Sequence, residues 1–293
     1  MIIFLTGNTG YLGSYYKKYL ELNKIKHFCI GRYITSSKNT LINFLKIHIN
    51  QKKEPYYLIN AAGFSGKPNV DGCEDYKREC LESNVILPSL LSDVCQELDI
   101  ILVHVSSGCV YNGYEKIWIE DDPSNFNFRA NNCSWYSGTK ALAEELLENN
   151  KESYILRLRF PFDSDLDSSR NYLRKLINYS KIVDSLNSIT NIQDFTNITF
   201  DIINKNLPFG KYNIFNEGPV YTKEVINILT KHLSLERKEW FDSIEEFQKT
   251  VKAKRTNCVL STEKLKSFGI VLDNAYDSIE KCVLKYKENR IGK

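Results

Sequence analysis

A tyrosine and a lysine four residues apart form the residue pair in this chain that most clearly indicates chemistry. Tyr136 and Lys140 stand at the start of a predicted helix, where this spacing places the phenol and the ammonium on one face. A tyrosine with its ordinary pKa of about 10 exchanges a proton with a carbonyl oxygen near neutrality only when a nearby cation stabilises the phenolate. Lys140 can provide that cation. The pair therefore indicates proton transfer to a carbonyl group.

A serine and a cysteine at the end of a predicted strand add two further groups. The strand predicted over Ile100–Ser106 leads directly into Ser107, whose hydroxyl can hydrogen-bond the same carbonyl oxygen and orient it. Cys109 follows two residues later, and a thiol with an ordinary pKa of about 8.5 can be tuned toward an acid or a base. The alternative role for Cys109 is that of a small packing residue.

A glycine-rich segment at the start of the chain predicts a dinucleotide site. It joins the predicted strand Met1–Thr6 to a helical pattern and consists of Gly7, Asn8, Thr9, Gly10, Tyr11, Leu12 and Gly13. In such a loop, backbone N–H groups and the positive end of the helix face a pyrophosphate, and the glycines permit its close approach. The alternative is a plain glycine-rich turn, which the position at the first strand-to-helix connection disfavours.

The end of the second predicted strand, Lys26–Ile30, indicates which nicotinamide cofactor binds. No Asp or Glu occurs between Leu22 and Lys53, although an acidic residue there would hold a free ribose 2′-hydroxyl. Arg32 follows the strand instead, and its guanidinium suits a 2′-phosphate in charge and bidentate geometry. We therefore predict NADP(H) rather than NAD(H). The alternative for Arg32 is a solvated surface charge.

Alternating strand and helix patterns position these residues and predict the fold. Helices are predicted near residues 39–50, 73–98 and 134–148. The predicted strands are Met1–Thr6, Lys26–Ile30, Tyr56–Asn60, Ile100–Ser106 and Tyr154–Arg159. This alternation is typical of an α/β, Rossmann-type doubly wound parallel sheet, in which ligands bind beyond the carboxyl ends of the strands.

Beyond Pro161 the pattern changes to polar segments, several helices and two strand-like pieces, Lys211–Phe215 and Cys258–Leu260. The last predicted helix lies near residues 276–289. We predict an NADP-binding Rossmann domain over residues 1–160. Residues 161–293 are predicted to form a smaller C-terminal substrate-binding lid, with some segments returning to the main sheet.

The composition excludes several other classes of protein. The chain has 293 residues, of which 42% are hydrophobic and 26% charged, an ordinary globular balance. The net charge is +3 and the charges are interspersed, so no clustered basic patch is expected that could bind nucleic acid or a membrane surface. The eight cysteines form no C-x-x-C pair and there are four histidines, so no metal site is expected. No secretory signal or membrane span is evident, and we expect a cytoplasmic protein with free thiols.

In chain order, these features resemble the extended short-chain dehydrogenase/reductase family. The resemblance is carried by the glycine loop, Asn60-Ala61-Ala62-Gly63 after the third strand, Ser106-Ser107 after the fourth, and the Tyr136/Lys140 pair. It implies that Ser107, Tyr136 and Lys140 are catalytic. It also implies that the Asn60–Gly63 backbone, Ser106, Arg159 and Pro161 lie beside the cofactor, together with Tyr136 and Lys140.

Further segments resemble one branch of that family, the nucleotide-rhamnose synthase/epimerase-reductase type, which is related to dTDP-4-dehydrorhamnose reductase. These segments are Gly63–Asp71 with Cys73-Glu74, Gly108–Tyr111, Arg159–Pro161, Ser164–Leu166, Arg170–Lys175 and Val183–Thr190. The resemblance weakens after about Thr190, where 255–257 and 261–265 are the segments that remain similar.

The resemblance implies a two-step enzyme acting on UDP-4-keto-6-deoxy-glucose. Epimerisation at C3 and C5 would be followed by reduction of the C4 ketone with NADPH, giving UDP-L-rhamnose. One ketone serves both steps, because it acidifies the flanking C–H bonds and later accepts the hydride. Inversion requires a proton to leave one face and another to arrive on the opposite face. By resemblance, Cys109 and Lys175 serve this step; the alternative for Lys175 is a solvated surface lysine.

The resemblance also places a set of residues at the substrate: Phe64, Ser65, Asn84, Ser107, Asn171, Asn187 and Arg255. Asn84 is equally compatible with a structural role and Arg255 with a surface charge. Three other functions stay open: a monofunctional dTDP-4-dehydrorhamnose reductase, a UDP-hexose 4-epimerase with tightly held NAD, and a non-catalytic NADP-binding regulatory subunit. Arg32 argues against the second, and the intact catalytic residues argue against the third. A homodimer is the usual state in the family.

Overall fold

A parallel sheet of six strands forms the centre of the protein, for which a computed structural model describes residues 1–49 and 54–291. The strands along the chain are β1 (Ile2–Thr6), β2 (His27–Ile30), β3 (Tyr56–Asn60), β4 (Ile101–Ser107), β5 (Gly113–Trp118), β6 (Ser153–Leu158), β7 (Pro161–Phe162), β8 (Lys181–Ile182), β9 (Leu186–Asn187), β10 (Thr190–Asn191), β11 (Gly210–Asn213), β12 (Val220–Tyr221), β13 (Glu239–Trp240) and β14 (Cys258–Leu260). The order across the main sheet is β11-β6-β4-β3-β1-β2. The predicted α/β Rossmann-type fold is confirmed.

Helices cover both faces of this sheet. They are α1 (Tyr11–Leu22), α2 (Lys38–His48), α3 (Gly72–Asp75), α4 (Lys77–Leu81), α5 (Leu87–Glu97), α6 (Trp135–Leu147), α7 (Tyr172–Asn178), α8 (Ile192–Asn204), α9 (Thr222–Leu233), α10 (Ile244–Gln248), α11 (Glu263–Ser267) and α12 (Ala275–Ile291). Within the described residues, none of these helices combines the length and apolar character needed to cross a bilayer. The predicted end of the second helix, residue 50, lies outside the described part of the chain.

The alternation of side chains along β1 shows how the sheet builds two cores. All five residues of β1 are buried. Ile3 and Leu5 join one apolar cluster with residues of α1 and α8, whereas Ile2 and Phe4 join another with residues of α2 and α5. Successive side chains of a strand point to opposite faces, so a continuous apolar run is what a strand covered on both faces requires.

The long helix predicted over residues 73–98 is interrupted. The structure has α3 and α4, then a π-helical turn over Glu82–Ile86, and only then α5. Pro88 lies in the first turn of α5, and a proline has no N–H to donate to the carbonyl four residues earlier. That carbonyl belongs to Asn84, so the missing bond coincides with the π-helical turn.

The second half of the chain has its own apolar cluster, which includes Phe162, Leu173, Val225 and Ile279. Two-stranded pairings join β7 to β10, β8 to β13 and β9 to β12, while β14 pairs with β5 from the first half. The same half also returns β11 to the edge of the main sheet beside β6. The second half is therefore joined to the first through β11 beside β6 and through β14 beside β5.

Candidate active site

The glycine loop between β1 and α1 forms a cradle with no room for side chains. A Cβ added at Gly13 would lie 1.9 Å from the backbone oxygen of Gly7. Gly7 has a φ of +71°, and a Cβ there would lie 2.5 Å from the backbone nitrogen of Ala62. No side chain caps the first turn of α1, and that turn contains no acidic residue. Its N–H groups are therefore available to an anion, and the cradle fits the pyrophosphate of a dinucleotide.

The turn after β3 forms the neighbouring wall of this cradle. Asn60 is fully buried, and its Oδ1 accepts hydrogen bonds from Thr6 Oγ1 (2.7 Å) and from the backbone nitrogen of Ala62 (3.2 Å). The Asn60 side chain therefore holds the turn in shape. The backbone of Ala61 and Ala62 faces Gly7, where the sequence predicts the cofactor.

Arg32 lies two residues after the end of β2 and is exposed. Within the described residues its guanidinium has no hydrogen-bond or ion-pair partner. The nearby Lys38, by contrast, pairs with Glu97 at 3.0 Å. Among the residues that the structure describes, Arg32 is therefore an unpaired cation near the carboxyl end of β2, where a 2′-phosphate is expected.

Local sequence explains how α6 presents Tyr136 and Lys140. The helix begins after Ser134, whose Oγ accepts a hydrogen bond from the backbone nitrogen of Ser137 at 3.2 Å, as an N-cap does. Tyr136 and Lys140 therefore lie one turn apart at the start of the helix. Lys140 is buried, and its Nζ donates a hydrogen bond to the backbone oxygen of Val105 in β4 at 2.8 Å. This contact fixes the ammonium beside the end of β4.

The protonation of Tyr136 follows from its surroundings. Burial raises the pKa of its phenol, and the neighbouring thiols of Cys109 and Cys73 add to the rise, whereas hydrogen bonding with Ser107 opposes it. Burial also lowers the pKa of Lys140, while nearby groups such as Glu144 oppose that change. Tyr136 is therefore a neutral phenol at physiological pH, ready to donate a proton.

Cys109 lies in a single 3₁₀ turn, Gly108–Val110, immediately after β4. Its backbone nitrogen donates a hydrogen bond to Ser107 Oγ at 3.2 Å. Burial raises the pKa of the thiol, although hydrogen bonding with Ser107 and the charges of Arg159 and Lys140 oppose the rise. Cys109 is thus a neutral thiol in the same cluster as Ser107 and Tyr136, and in this state it can donate a proton but not accept one.

Lys175 lies on α7 and is half-buried. Its pKa falls to about 8 because of burial and the positive charges of Arg170 and Arg255. Among residues 1–49 and 54–291, its ammonium has no hydrogen-bond or ion-pair partner. A lysine with this pKa is partly neutral near physiological pH and can act as a base.

Two arginines beside Lys175 join the second half of the chain to the segment after β3. Arg170 donates to Ser65 Oγ and to the backbone oxygen of Gly66, each at 3.0 Å. Arg255 pairs with Asp71 at 2.9 Å. The Arg255 side chain is still 22% exposed, and its role as a substrate ligand stays a prediction.

The three asparagines expected at the substrate are buried and engaged within the protein. Asn84 Oδ1 accepts from the backbone nitrogen of Phe64 (2.8 Å) and its Nδ2 donates to the backbone oxygen of the same residue (2.9 Å). Asn171 caps α7 through Leu173, and Asn187 accepts from Arg159. Each of the three amide groups therefore has partners within the protein, and their placement at the substrate stays a prediction. Asn84 in particular holds the Phe64 backbone.

Two residues expected beside the cofactor likewise bind other parts of the protein. Ser106 donates its hydroxyl to Glu144, which forms a buried ion pair with Arg157 at 2.6 Å. Arg159 is buried, and its guanidinium donates to Asn187 and Thr256. Both side chains therefore have partners within the protein, and their placement beside the cofactor stays a prediction. Pro161 lies in β7 and pairs with Thr190 in β10.

Sequence reasoning missed several residues that hold the site together. Arg170 and Asp71 lie in segments that resemble the family, but nothing in the local sequence shows that they join the second half of the chain to the segment after β3. The position of Glu144, by contrast, could have been predicted from its spacing in the sequence. It follows Tyr136 and Lys140 at the same four-residue interval and therefore shares their helix face. Within the described chain, no group of three or more His, Cys, Asp or Glu residues could hold a metal ion.

The chain is similar to a known protein family and to several curated proteins along most of its length. The family model described as the RmlD substrate binding domain matches residues 1–288. A bifunctional dTDP-4-dehydrorhamnose 3,5-epimerase/dTDP-4-dehydrorhamnose reductase of Arabidopsis thaliana is 31% identical over 286 residues, covering 95% of this chain and 91% of that protein. A trifunctional UDP-glucose 4,6-dehydratase/UDP-4-keto-6-deoxy-D-glucose 3,5-epimerase/UDP-4-keto-L-rhamnose-reductase of the same plant is also 31% identical, and this chain spans 40% of its length.

Solved structures share the fold along almost the whole chain. A UDP-rhamnose synthase from Acanthamoeba polyphaga mimivirus superposes with a TM-score of 0.86 at 23% identity, covering 97% of this chain and 98% of that one. A dTDP-4-dehydrorhamnose reductase from Bacillus anthracis, in complex with NADP, gives a TM-score of 0.78 at 14% identity, covering 97% and 98%. At these identities the likeness concerns the fold alone.

Proposed function

The chain belongs to the RmlD substrate binding domain family, and from that premise we propose that it is a bifunctional, NADPH-dependent 3,5-epimerase/4-reductase of UDP-4-keto-6-deoxy-D-glucose that produces UDP-L-rhamnose. The observation that supports the double activity is the cluster at the end of β4. There the neutral thiol of Cys109 lies beside the reductase residues Ser107 and Tyr136. A relative that is 31% identical over nearly the whole chain carries both activities in its name.

The cofactor is NADP(H), which when bound supplies the hydride for the C4 ketone. The Gly7–Gly13 cradle would hold its pyrophosphate, and the turn containing Ala61, Ala62 and Gly63 would line the neighbouring wall. Arg32 would bind the 2′-phosphate. The NADP complex of a structural neighbour, which has the same fold, is consistent with this assignment.

For reduction, Tyr136 donates its proton to the C4 oxygen. The Lys140 ammonium, held by Val105, stabilises the phenolate that remains. The Ser107 hydroxyl hydrogen-bonds the same carbonyl oxygen and orients it. The raised pKa of the phenol keeps Tyr136 protonated until the carbonyl oxygen gains negative charge.

For epimerisation, Lys175 acts as the base and Cys109 as the proton donor. Lys175, with a pKa of about 8, removes a proton from the carbon next to the ketone, and the electron pair moves onto the carbonyl oxygen as an enolate. Ser107 and Tyr136 hydrogen-bond that oxygen. The thiol of Cys109 then delivers a proton to the opposite face of the carbon, and solvent returns both groups to their starting protonation states.

The assignment of Lys175 as the base predicts a specific pH dependence. Only the neutral amine accepts a proton, and its fraction rises as pH rises through the pKa of about 8. We expect kcat/KM for solvent deuterium incorporation into the keto sugar to increase about tenfold per pH unit below pH 8 and to level off above it. A profile that falls over this range would contradict the assignment, as would a Lys175→Gln variant with the wild-type rate and profile.

The role of Arg32 predicts a change in cofactor preference. We expect Arg32→Ser to raise KM for NADPH by about 10- to 100-fold, because it removes charge-assisted hydrogen bonds worth about 1.5–3 kcal/mol. KM for NADH should change by about twofold or less. Lys38→Ser is the matched control, since Lys38 is already paired with Glu97. Equal changes of KM for NADPH and NADH in Arg32→Ser would contradict the role.

A monofunctional 4-dehydrorhamnose reductase is the second candidate, favoured by the names of several structural neighbours. The deciding experiment supplies NADPH with either UDP-4-keto-6-deoxy-D-glucose or its 3,5-epimerised product, and repeats both with the dTDP sugars. The bifunctional enzyme forms L-rhamnose from both ketones. A monofunctional reductase forms it only from the epimerised ketone, and a regulatory subunit turns over neither.

The cysteines support our placing of the enzyme in the cytoplasm. All eight are free thiols, and five of them are buried. The proposed role of Cys109 requires its thiol to stay reduced, which a reducing compartment ensures.

A further inference from the structure

Asp163 lies between the cofactor loop and the helix that carries Lys175. It directly follows β7, is 2% exposed and borders a cavity of about 390 Å³ together with Tyr15. We propose that Asp163 is a positioning residue that couples the glycine loop to α7, so that binding of NADP(H) sets the position of Lys175. This inference rests on the proposed function and adds to it that epimerisation depends on bound cofactor, although that step consumes no hydride.

One side of the Asp163 carboxylate anchors α7. Its Oδ1 accepts hydrogen bonds from Asn171 Nδ2 at 2.9 Å and from the backbone nitrogen of Asp165 at 2.6 Å. Asn171 Nδ2 also donates to the backbone oxygen of Asp163 at 2.9 Å. Asn171 in turn caps α7 through the backbone nitrogen of Leu173 (2.9 Å), and its backbone oxygen accepts from the nitrogen of Lys175 (3.2 Å). The first turn of α7 is therefore held by Asp163.

The other side of the carboxylate faces the cofactor loop. Tyr11 is the first residue of α1, within the glycine-rich segment, and its ring contacts Tyr15 edge-on at 6.5 Å between centroids. Both phenols approach the Asp163 carboxylate, and burial together with the charge and proximity of that carboxylate raises the pKa of Tyr11 and of Tyr15. Within the described residues, Tyr11 Oη and Asp163 Oδ2 are both buried and complete no hydrogen bond. Two complementary buried groups that stay unpaired carry a cost that pairing would remove.

These contacts give the coupling a physical route. A pyrophosphate bound at the first turn of α1 would hold the segment that carries Tyr11 and would bring its phenol into position to donate to Asp163 Oδ2. The carboxylate is then held at both oxygens, and through Asn171 it restrains α7. Coupling between two sites through such contacts is typically worth about 5- to 150-fold in affinity or population, and it acts in both directions.

Hydrogen exchange tests this coupling without any turnover. With saturating NADP⁺, we expect amide exchange in residues 172–178 to slow by about fivefold or more in the wild-type protein and to stay unchanged in Asp163→Asn. Slower exchange in residues 7–13 shows that the cofactor is bound. If 7–13 is protected and 172–178 is not in the wild-type protein, or if Asp163→Asn is protected at both, the coupling is wrong. Protection of neither segment contradicts the coupling and the proposed cofactor together.

A second variant tests the coupling independently, in case Asp163→Asn does not fold. Tyr11→Phe removes only the phenol hydroxyl, and we expect it to lose the protection of residues 172–178. Tyr19→Phe is its matched control, because Tyr19 lies on the same helix and stacks on Phe200 instead. Equal protection of 172–178 in the two variants would overturn the proposal.

Kinetics provides the functional readout. We expect NADP⁺ to accelerate solvent deuterium incorporation into the keto sugar by about fivefold or more in the wild-type enzyme, and not in Asp163→Asn. Equal acceleration in both proteins would overturn the proposed role of Asp163. A wild-type rate that is measurable and independent of NADP⁺ would overturn the cofactor dependence while leaving the bifunctional assignment intact.

Discussion

Replacing Tyr136 by phenylalanine lowers kcat for reduction of the 3,5-epimerised 4-keto sugar by about 10²- to 10⁴-fold, the usual contribution of a positioned general acid. The variant keeps the ring and loses only the hydroxyl that donates to the C4 oxygen. Burial keeps that hydroxyl protonated. In the proposed mechanism the Lys140 ammonium, held by the backbone oxygen of Val105, stabilises the phenolate formed from it. Stopped-flow or steady-state oxidation of NADPH measures the effect.

The control for this variant is Tyr221→Phe, whose phenol is half-exposed at the start of α9. It should reduce the sugar at the wild-type rate. NADPH affinity, measured by fluorescence titration, should change little in Tyr136→Phe if the loss is catalytic. A Tyr136→Phe enzyme with kcat within about threefold of wild type would show that another group protonates the ketone.

Replacing Cys109 by alanine lowers solvent deuterium incorporation into UDP-4-keto-6-deoxy-D-glucose by about 10²-fold or more, because epimerisation loses its proton donor. Reduction of the epimerised ketone should fall far less, so the ratio of the two activities changes. The structural basis is the neutral thiol beside Ser107. Nuclear magnetic resonance in deuterium oxide follows the first activity, and NADPH oxidation follows the second.

Two further variants sharpen the result for Cys109. Cys109→Ser keeps the size of the side chain but replaces the thiol by a much weaker acid, so it should also lose deuterium incorporation. Cys29→Ala is the control, because Cys29 is a partly exposed thiol in β2 on the other side of the sheet's centre. Wild-type incorporation by Cys109→Ala would show that this thiol only packs.

The parts of the site that the sequence predicted well are those set by local structure. The glycine loop depends on one turn, the Tyr136/Lys140 spacing on one helix, and the position of Ser107 on the end of one strand. Each of these can be predicted from a few neighbouring residues. Tyr56–Asn60 was predicted as a strand and is one. The β4 strand is shifted by one residue and runs from Ile101 to Ser107, instead of the predicted Ile100 to Ser106.

The parts that the sequence did not predict depend on long-range contacts. The packing of the π-helical turn decides whether the amide of Asn84 faces a ligand or the Phe64 backbone. In the sequence, Pro88 was the residue that could have indicated this interruption of the helix. The ion pair of Arg255 with Asp71 joins residues 184 positions apart. The strands of two residues in the second half of the chain, such as β8 and β9, are too short to show a periodic pattern in the sequence.

The central claim, that one site both epimerises and reduces, is tested most directly by the isotope content of the product. The wild-type enzyme is incubated with UDP-4-keto-6-deoxy-D-glucose and NADPH in deuterium oxide, and the product sugar is examined by nuclear magnetic resonance. We predict L-rhamnose with deuterium at both C3 and C5. A 6-deoxy sugar that keeps the D configuration and its original hydrogens at C3 and C5 would contradict the account.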